Sequence, residues 1–186
     1  MCSSDLRTCF RERTFQASSA WCRPLFALKT PEYLQKFDKM RKILKNFDKK
    51  NIPIYLNNNS TFSYYINPTF EVLLFLLLEN AIKYTPIGKP INISFYEPKN
   101  TLSVEIKSIG PFCKPDELNK LCTKGFRGDN ARSSGKNGNG LGLCFAAQIC
   151  NLLKIQISFK SLYNYEKIDD IPYGDFIINL VFVKRS

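Results

Sequence analysis

This sequence predicts an α/β (α+β) fold: a two-layer α/β sandwich in which helices cover one face of a mixed sheet. Three observations predict it. Four stretches alternate apolar and polar residues at period two, as strands with one buried and one wet face do. Two others, ending near Tyr84 and Leu153, carry apolar residues at helical spacing. The two kinds interleave along the chain as helix, strand, helix, hairpin, long loop, helix and two strands.

Each element has a local reason. Pro31 to Lys50 reads as a lysine-rich helix with Leu34, Phe37, Ile43, Leu44 and Phe47 as a rough apolar stripe. Ile52 to Leu56 is a short strand. Asn67 and Pro68 open the next helix, an amide that can cap followed by a proline whose missing N–H costs nothing at the first position. That helix runs to about Tyr84 and stops before Pro86 and Gly88. Ile91, Ile93 and Phe95 alternate with Asn92, Ser94 and Tyr96; after a turn at Glu97–Asn100, Leu102, Val104 and Ile106 alternate with Ser103, Glu105 and Lys107. Phe112 to Asn139 has little period and much Gly, Lys, Asn and Ser, and a loop this long inside a compact domain is functional or disordered. Gly140 to Leu153 is helical. Ile155, Ile157 and Phe159, then Phe176, Ile178, Leu180 and Phe182, give two final strands around a polar connection, Tyr163–Asp175.

Composition narrows the class. A chain of 186 residues has room for one domain with a real core. Its net charge of +11 raises the question of nucleic acid, yet Lys36, Lys39, Lys42, Lys45, Lys49 and Lys50 are scattered as on a solvated surface, and no nucleic-acid partner is expected. Seven cysteines, an odd number without a CxxC pair, and no histidine argue against a zinc site and a complete disulfide framework, and point to a reducing compartment. Without histidine, imidazole acid–base and Ser-His chemistry are excluded. No apolar run approaches the roughly 18 residues that cross a bilayer. Residues 1–28 hold three cysteines, four arginines and the only tryptophan without period. The opening MCSSDL resembles the translated end of a common sequencing adapter, so this stretch is read as a disordered or non-native tail. Residues 29–50 are then a linker helix, or the remnant of a preceding helical domain, and 51–186 the folded domain.

The chemistry concentrates where an apolar run ends in polar residues, LLFLLLENAIKYTP from Leu73 to Pro86. Three- and four-residue spacing puts Asn80, Lys83 and Tyr84 on one helix face: a neutral metal-binding oxygen, a cation and an aromatic plate. Glu79, one residue away, is expected to point elsewhere. Downstream, NGNGLGL from Asn137 to Leu143 is a glycine-rich turn opening a helix, where free N–H groups and the dipole favour an anion. It is not a P-loop, since Asn137 follows Gly135-Lys136, and it follows no strand as a dinucleotide fingerprint would. Ser108-Ile109-Gly110-Pro111 ends the hairpin with a small polar side chain at the sheet's edge.

LLENAIKYTP, SIGP, KGFRGDNA and GNGLGL, in this order and spacing, resemble the N box, first glycine box, lid segment and second glycine box of the GHKL ATPase superfamily. Within it they most resemble the catalytic ATP-binding domain of sensor histidine kinases. The resemblance covers roughly residues 50–186 and implies a Bergerat fold with ATP held between sheet, N-box helix and lid. It implies that Asn80 chelates magnesium, Lys83 meets phosphate and Tyr84 packs on adenine. The same resemblance implies that Phe126 and Arg127 belong to the lid, Arg127 as a phosphate contact, that Gly138, Gly140, Leu141, Gly142 and Leu143 cradle the phosphates, and that Ser108 and Gly110 stand at the adenine. Three departures are visible. Ser108 replaces the usual Asp, Phe112 replaces the second glycine of that box, and Leu76 stands where hydrolysing members and serine-kinase anti-sigma factors place a Glu base.

The expected function is that of the ATP-binding part of a two-component histidine kinase, passing the γ-phosphoryl of magnesium-ATP to a histidine outside this sequence. The implied partners are a histidine-containing dimerisation domain and a response regulator. The expected location is the cytoplasm, with any membrane contact through further segments of the parent protein. Two rivals stand beside it: a stand-alone GHKL serine kinase or switch ATPase, and a degenerate nucleotide-sensing module without phosphotransfer.

Overall fold

In the computed structural model, which describes residues 14–15, 52–58, 68–98 and 101–182, the leucine-rich run builds the longest helix among the described residues. Helix α1 spans Pro68–Tyr84. Phe70, Leu73, Leu77 and Ala81 recur every three or four residues and are buried, Leu73 and Leu77 without any exposure. Burying one such leucine stabilises by about 1.5–3 kcal/mol relative to leaving it in water. The helix ends where Thr85 donates twice to the Ala81 carbonyl, from its N–H at 2.9 Å and its hydroxyl at 2.7 Å. Pro86 follows. The Asn67 cap lies outside the described residues, as do the tail apart from Thr14 and Phe15 and the whole of the 29–50 helix.

Among the described residues seven strands form the sheet: β1 Thr14–Phe15, β2 Ile54–Asn58, β3 Ile91–Tyr96, β4 Leu102–Pro111, β5 Ile155–Leu162, β6 Lys167–Ile168 and β7 Ile171–Phe182. Their order is β1-β2-β3-β4-β7-β5, with β6 on β7. β2 and β3 run parallel, and every other described pair is antiparallel. A parallel pair needs a crossover, and α1 is that crossover. The register places Ile106 between Ile93 and Ile178, and Val104 between Phe95 and Leu180, all on the face that α1 covers. Helix α4, Gly142–Leu153, packs beside α1 and adds Ala146 and Cys150 to the same core. The opposite face carries Ser103, Glu105 and Lys107, and Lys107 pairs with Asp175 at 2.8 Å. The mixed, one-side-covered sandwich read from the sequence is the fold observed.

The boundaries moved for local reasons. β2 starts at Ile54, two residues late, because Pro53 has no N–H to give the ladder; its carbonyl instead accepts from Ile91 at 2.9 Å. The stretch 112–139 contains two short helices, α2 Pro115–Leu118 and α3 Asp129–Ser133. The connection 163–175 is shorter than expected because β6 and β7 form a tight hairpin. Its two turn residues, Asp169 and Asp170, both have positive φ (51° and 63°), which aspartate tolerates better than most side chains. Residues 14 and 15, read as periodless, pair antiparallel with β2. Helix α4 starts at Gly142 rather than Gly140, leaving the first glycines as turn. No helix of the described residues is long and apolar enough to cross a membrane.

Truncating Leu77 to alanine removes a side chain with no solvent exposure at the α1–sheet contact. The expected loss is about 2–5 kcal/mol, read as a lower urea midpoint at unchanged slope.

Candidate functional site

Three segments distant in sequence converge on one cavity of about 360 Å³. The last turn of α1 supplies Asn80, Lys83 and Tyr84; the end of β4 supplies Ser108 and Gly110; the turn into α4 supplies Gly138, Gly140, Leu141, Gly142 and Leu143. Phe126 and Arg127 border it from the segment between α2 and α3. All twelve residues singled out in the sequence therefore line a single cavity. Glu79 borders it too, although it was expected to point elsewhere. It is exposed at the rim, where neighbouring positions of the helix tip both reach the opening.

One end of the cavity is charged and built from bare backbone. The Lys83 Nζ stands 5.0 Å above the Tyr84 ring and lies against the open face of Gly138. Gly140 has φ +66° and presses on the Gly125–Phe126 backbone: a Cβ there would stand 2.6 Å from the Phe126 carbonyl oxygen. Only glycine fits that approach. The Gly140 carbonyl accepts from the Gly125 N–H at 3.1 Å, joining turn to lid. The first N–H groups of α4, at Gly142 and Leu143, open beside this end without helical partners.

Arg127 ties together the segment between α2 and α4, which the sequence resemblance assigns to the lid. Its guanidinium donates to the carbonyls of Gly138 (3.2 Å), Ala131 (2.7 Å) and Lys136 (2.6 Å), and to the Tyr84 hydroxyl at 3.4 Å. Its Nε is buried without a hydrogen-bond partner, an orphaned cationic donor beside the cavity. The Asn80 amide forms no side-chain hydrogen bond among the described residues. A neutral amide oxygen without a side-chain partner, beside a glycine-lined turn, is a donor type that suits magnesium, a hard cation that takes oxygen ligands.

The other end is buried and mostly apolar, with Ser108, Cys113, Leu121 and Phe176 in its wall. Burial, and then the nearby Glu117 carboxylate, push the Cys113 thiol up to about 12, so that it is a neutral surface. Cys150 in the core is likewise pushed up to about 12, chiefly by burial.

Sequence reasoning missed Glu117. It is buried, and its carboxylate accepts from the Lys114 N–H at 3.0 Å and the Asp129 N–H at 2.7 Å. It thus clips α2 to the start of α3, with Gly128 packed on it. The available signal was Pro115 followed two residues later by Glu, a first-turn pattern hidden in a stretch read as loop. Asn130, also missed, donates to the Phe112 carbonyl at 2.7 Å and closes the other side of the lid base.

Comparison with known proteins bears on this arrangement. Residues 68–170 match the family described as histidine kinase-, DNA gyrase B-, and HSP90-like ATPase. The chain belongs to this family. It is 31% identical over 109 residues to the histidine protein kinase SaeS of Staphylococcus aureus (strain USA300), covering 58% of this chain and 31% of the relative. It is 30% identical over 100 residues to SaeS of Staphylococcus epidermidis, covering 53% and 28%. The chain thus spans about a third of the length of these curated relatives. Among solved structures it is similar to the mycobacterial sensor histidine kinase MprB, with TM-score 0.59 and 19% identity over 81% of this chain and 95% of that one. It is also similar to the catalytic domain of histidine kinase ThkA, with TM-score 0.57 and 17% identity over 81% and 94%. At those identities the likeness is one of fold. As a member of this ATPase family, the domain is a nucleotide user with the mixed α/β architecture read from its sequence.

Two outcomes follow from the lid and the thiols. Glu117→Ala leaves two inward-facing N–H groups without partners and is expected to cost about 1–3 kcal/mol in urea unfolding, with Glu117→Gln costing less because an amide oxygen still accepts. Cys113 and Cys150, with thiols near 12, are expected to resist iodoacetamide at pH 8 in the native chain and react once it unfolds, as read by peptide mass mapping. The sign for stability is set by the same shift. A thiol raised by folding contributes fully below its unfolded pKa, and that contribution is lost as pH climbs toward 12.

Proposed function

We propose that this chain is the ATP-binding catalytic part of a sensor histidine kinase, transferring the γ-phosphoryl of magnesium-ATP to a histidine carried by polypeptide outside these 186 residues. What supports the reading most is one observation: the Asn80–Lys83–Tyr84 helix tip and the glycine-opened start of α4 share a cavity bridged by Arg127. Family membership, and similarity to relatives named as histidine kinases, point the same way.

The roles follow from chemistry and position. Lys83 and Arg127 neutralise phosphate oxygens, and the free N–H groups at Gly142 and Leu143 receive further ones. Tyr84 packs on the base, while Ser108 meets its edge. Asn80 is the residue that would offer an amide oxygen to magnesium, and the ion would supply neutralisation of phosphate charge there. Phosphoryl transfer asks the protein mainly for alignment and charge neutralisation, and these side chains supply both. Leu76 lines the cavity where a base for hydrolysis would stand and cannot accept a proton, so water is not activated. The acceptor must come from elsewhere, since the sequence holds no histidine. The partners are therefore a histidine-bearing dimerisation domain and, downstream, a response regulator. Reduced, buried cysteines suit a cytoplasmic setting.

Calorimetry with a non-hydrolysable ATP analogue tests the site. In magnesium, Asn80→Ala is expected to weaken binding at least tenfold, about 1.4 kcal/mol, and the gap is expected to close in EDTA. Equal affinities in magnesium would remove Asn80 from the site. Labelled phosphate should pass to a supplied histidine-bearing helical domain; binding without transfer would favour a sensing module, and steady hydrolysis by the chain alone a switch ATPase.

A further inference from the structure

Among the described cavity-lining residues that carry a side-chain oxygen or nitrogen, Ser108 alone is buried, at 4% exposure. It stands directly opposite Phe176 in the β4–β7 ladder, and its hydroxyl donates to the Phe176 carbonyl at 3.5 Å, the long limit of a hydrogen bond. At that length the proton is weakly held, and the hydroxyl is left to rotate beside the cavity that Ser108 lines. Charged phosphates belong at the opposite end, with Lys83, Arg127 and the glycine turn, so the flat, largely apolar base belongs here.

The edge of that base then meets a group of two-sided character. A hydroxyl both donates and accepts, whereas a carboxylate at neutral pH only accepts. Facing an amino group, Ser108 can accept; facing a carbonyl, it can rotate and donate. A site discriminates strongly only when a substituent leaves a buried partner unpaired, and a rotating hydroxyl avoids that in both cases. The other buried side-chain nitrogen among the described lining residues, Arg127 Nε, stands with the charged end and the glycine turn, so it adds no second constraint at the base.

We infer that Ser108 makes the base end tolerant of the group at purine position 6, so that the cavity takes 6-oxopurine nucleotides as well as adenine nucleotides. This rests on the nucleotide reading proposed above and goes beyond it in substrate class.

The test is calorimetric titration of the full chain with the magnesium complexes of ADP and IDP, which differ in the 6-position and the N1 proton that accompanies it. IDP is expected to bind within about tenfold of ADP. Ser108→Asp is expected to widen the preference for ADP to about a hundredfold or more, because an acceptor-only group then faces the 6-oxo oxygen. If the unaltered chain prefers ADP by more than about tenfold, the inference is overturned while the nucleotide reading stands. If it binds neither diphosphate, both fall. The comparison on the unaltered chain decides the matter even where the aspartate variant fails to fold.

Discussion

The rotation of α1 about its own axis is the constraint on which the site depends. Leu73 and Leu77 have no exposure, and Phe70, Leu78, Ala81 and Ile82 are buried around them. Turning the helix by one residue's worth of angle, about 100°, would drive polar side chains into the sheet and leucines into water. The core therefore fixes which way the last turn points. Asn80, Lys83 and Tyr84 need no anchoring of their own, because the hydrophobic face upstream has already aimed them. A polar tip on an apolar shaft is thus one device: the shaft supplies the energy, and the tip inherits the geometry.

The far wall is held by a different principle. Between α2 and α4 there is little apolar burial, and the lid keeps its shape through polar contacts to backbone: Glu117 to the start of α3, Asn130 to Phe112, Arg127 to three carbonyls, and Gly140 to Gly125. Such bonds are individually modest, about 0.5–1.5 kcal/mol net when neutral. One wall is therefore packed and the other is hydrogen-bonded. Segments of the second kind open at lower free energy than core elements.

The sequence made these two walls legible to different degrees. α1, the β3–β4 hairpin and the ends of β5 and β7 were plain because burial on one face writes a period into the chain, 3.6 or 2, and Leu73, Leu77, Ile91, Ile93, Val104 and Ile106 obey it. That the twelve residues singled out share one cavity was also readable, since polar residues at the end of an apolar helix and glycines at the start of another are rare enough to notice. Glu117 and Asn130 were not. Their distant partners are backbone groups 12 and 18 residues away, and a bond to backbone leaves no complementary residue type in the sequence to betray it. Boundaries slipped where single residues overrule periodicity, as Pro53 does for β2 and the Asp169-Asp170 turn does for β7.

The sheet order also governs when the cavity can exist at all. β4 lies between β3, its neighbour in sequence, and β7, so Ser108 is matched with Phe176, a residue 68 positions later. Pairings of that span close slowly, because a long loop must be ordered before any bond rewards it. A growing chain released from the ribosome from its N-terminus would hold its helix tip and hairpin early, yet lack the floor beneath them until synthesis had passed the final strand. Nucleotide capture is therefore a property of the finished domain, arriving late and all at once.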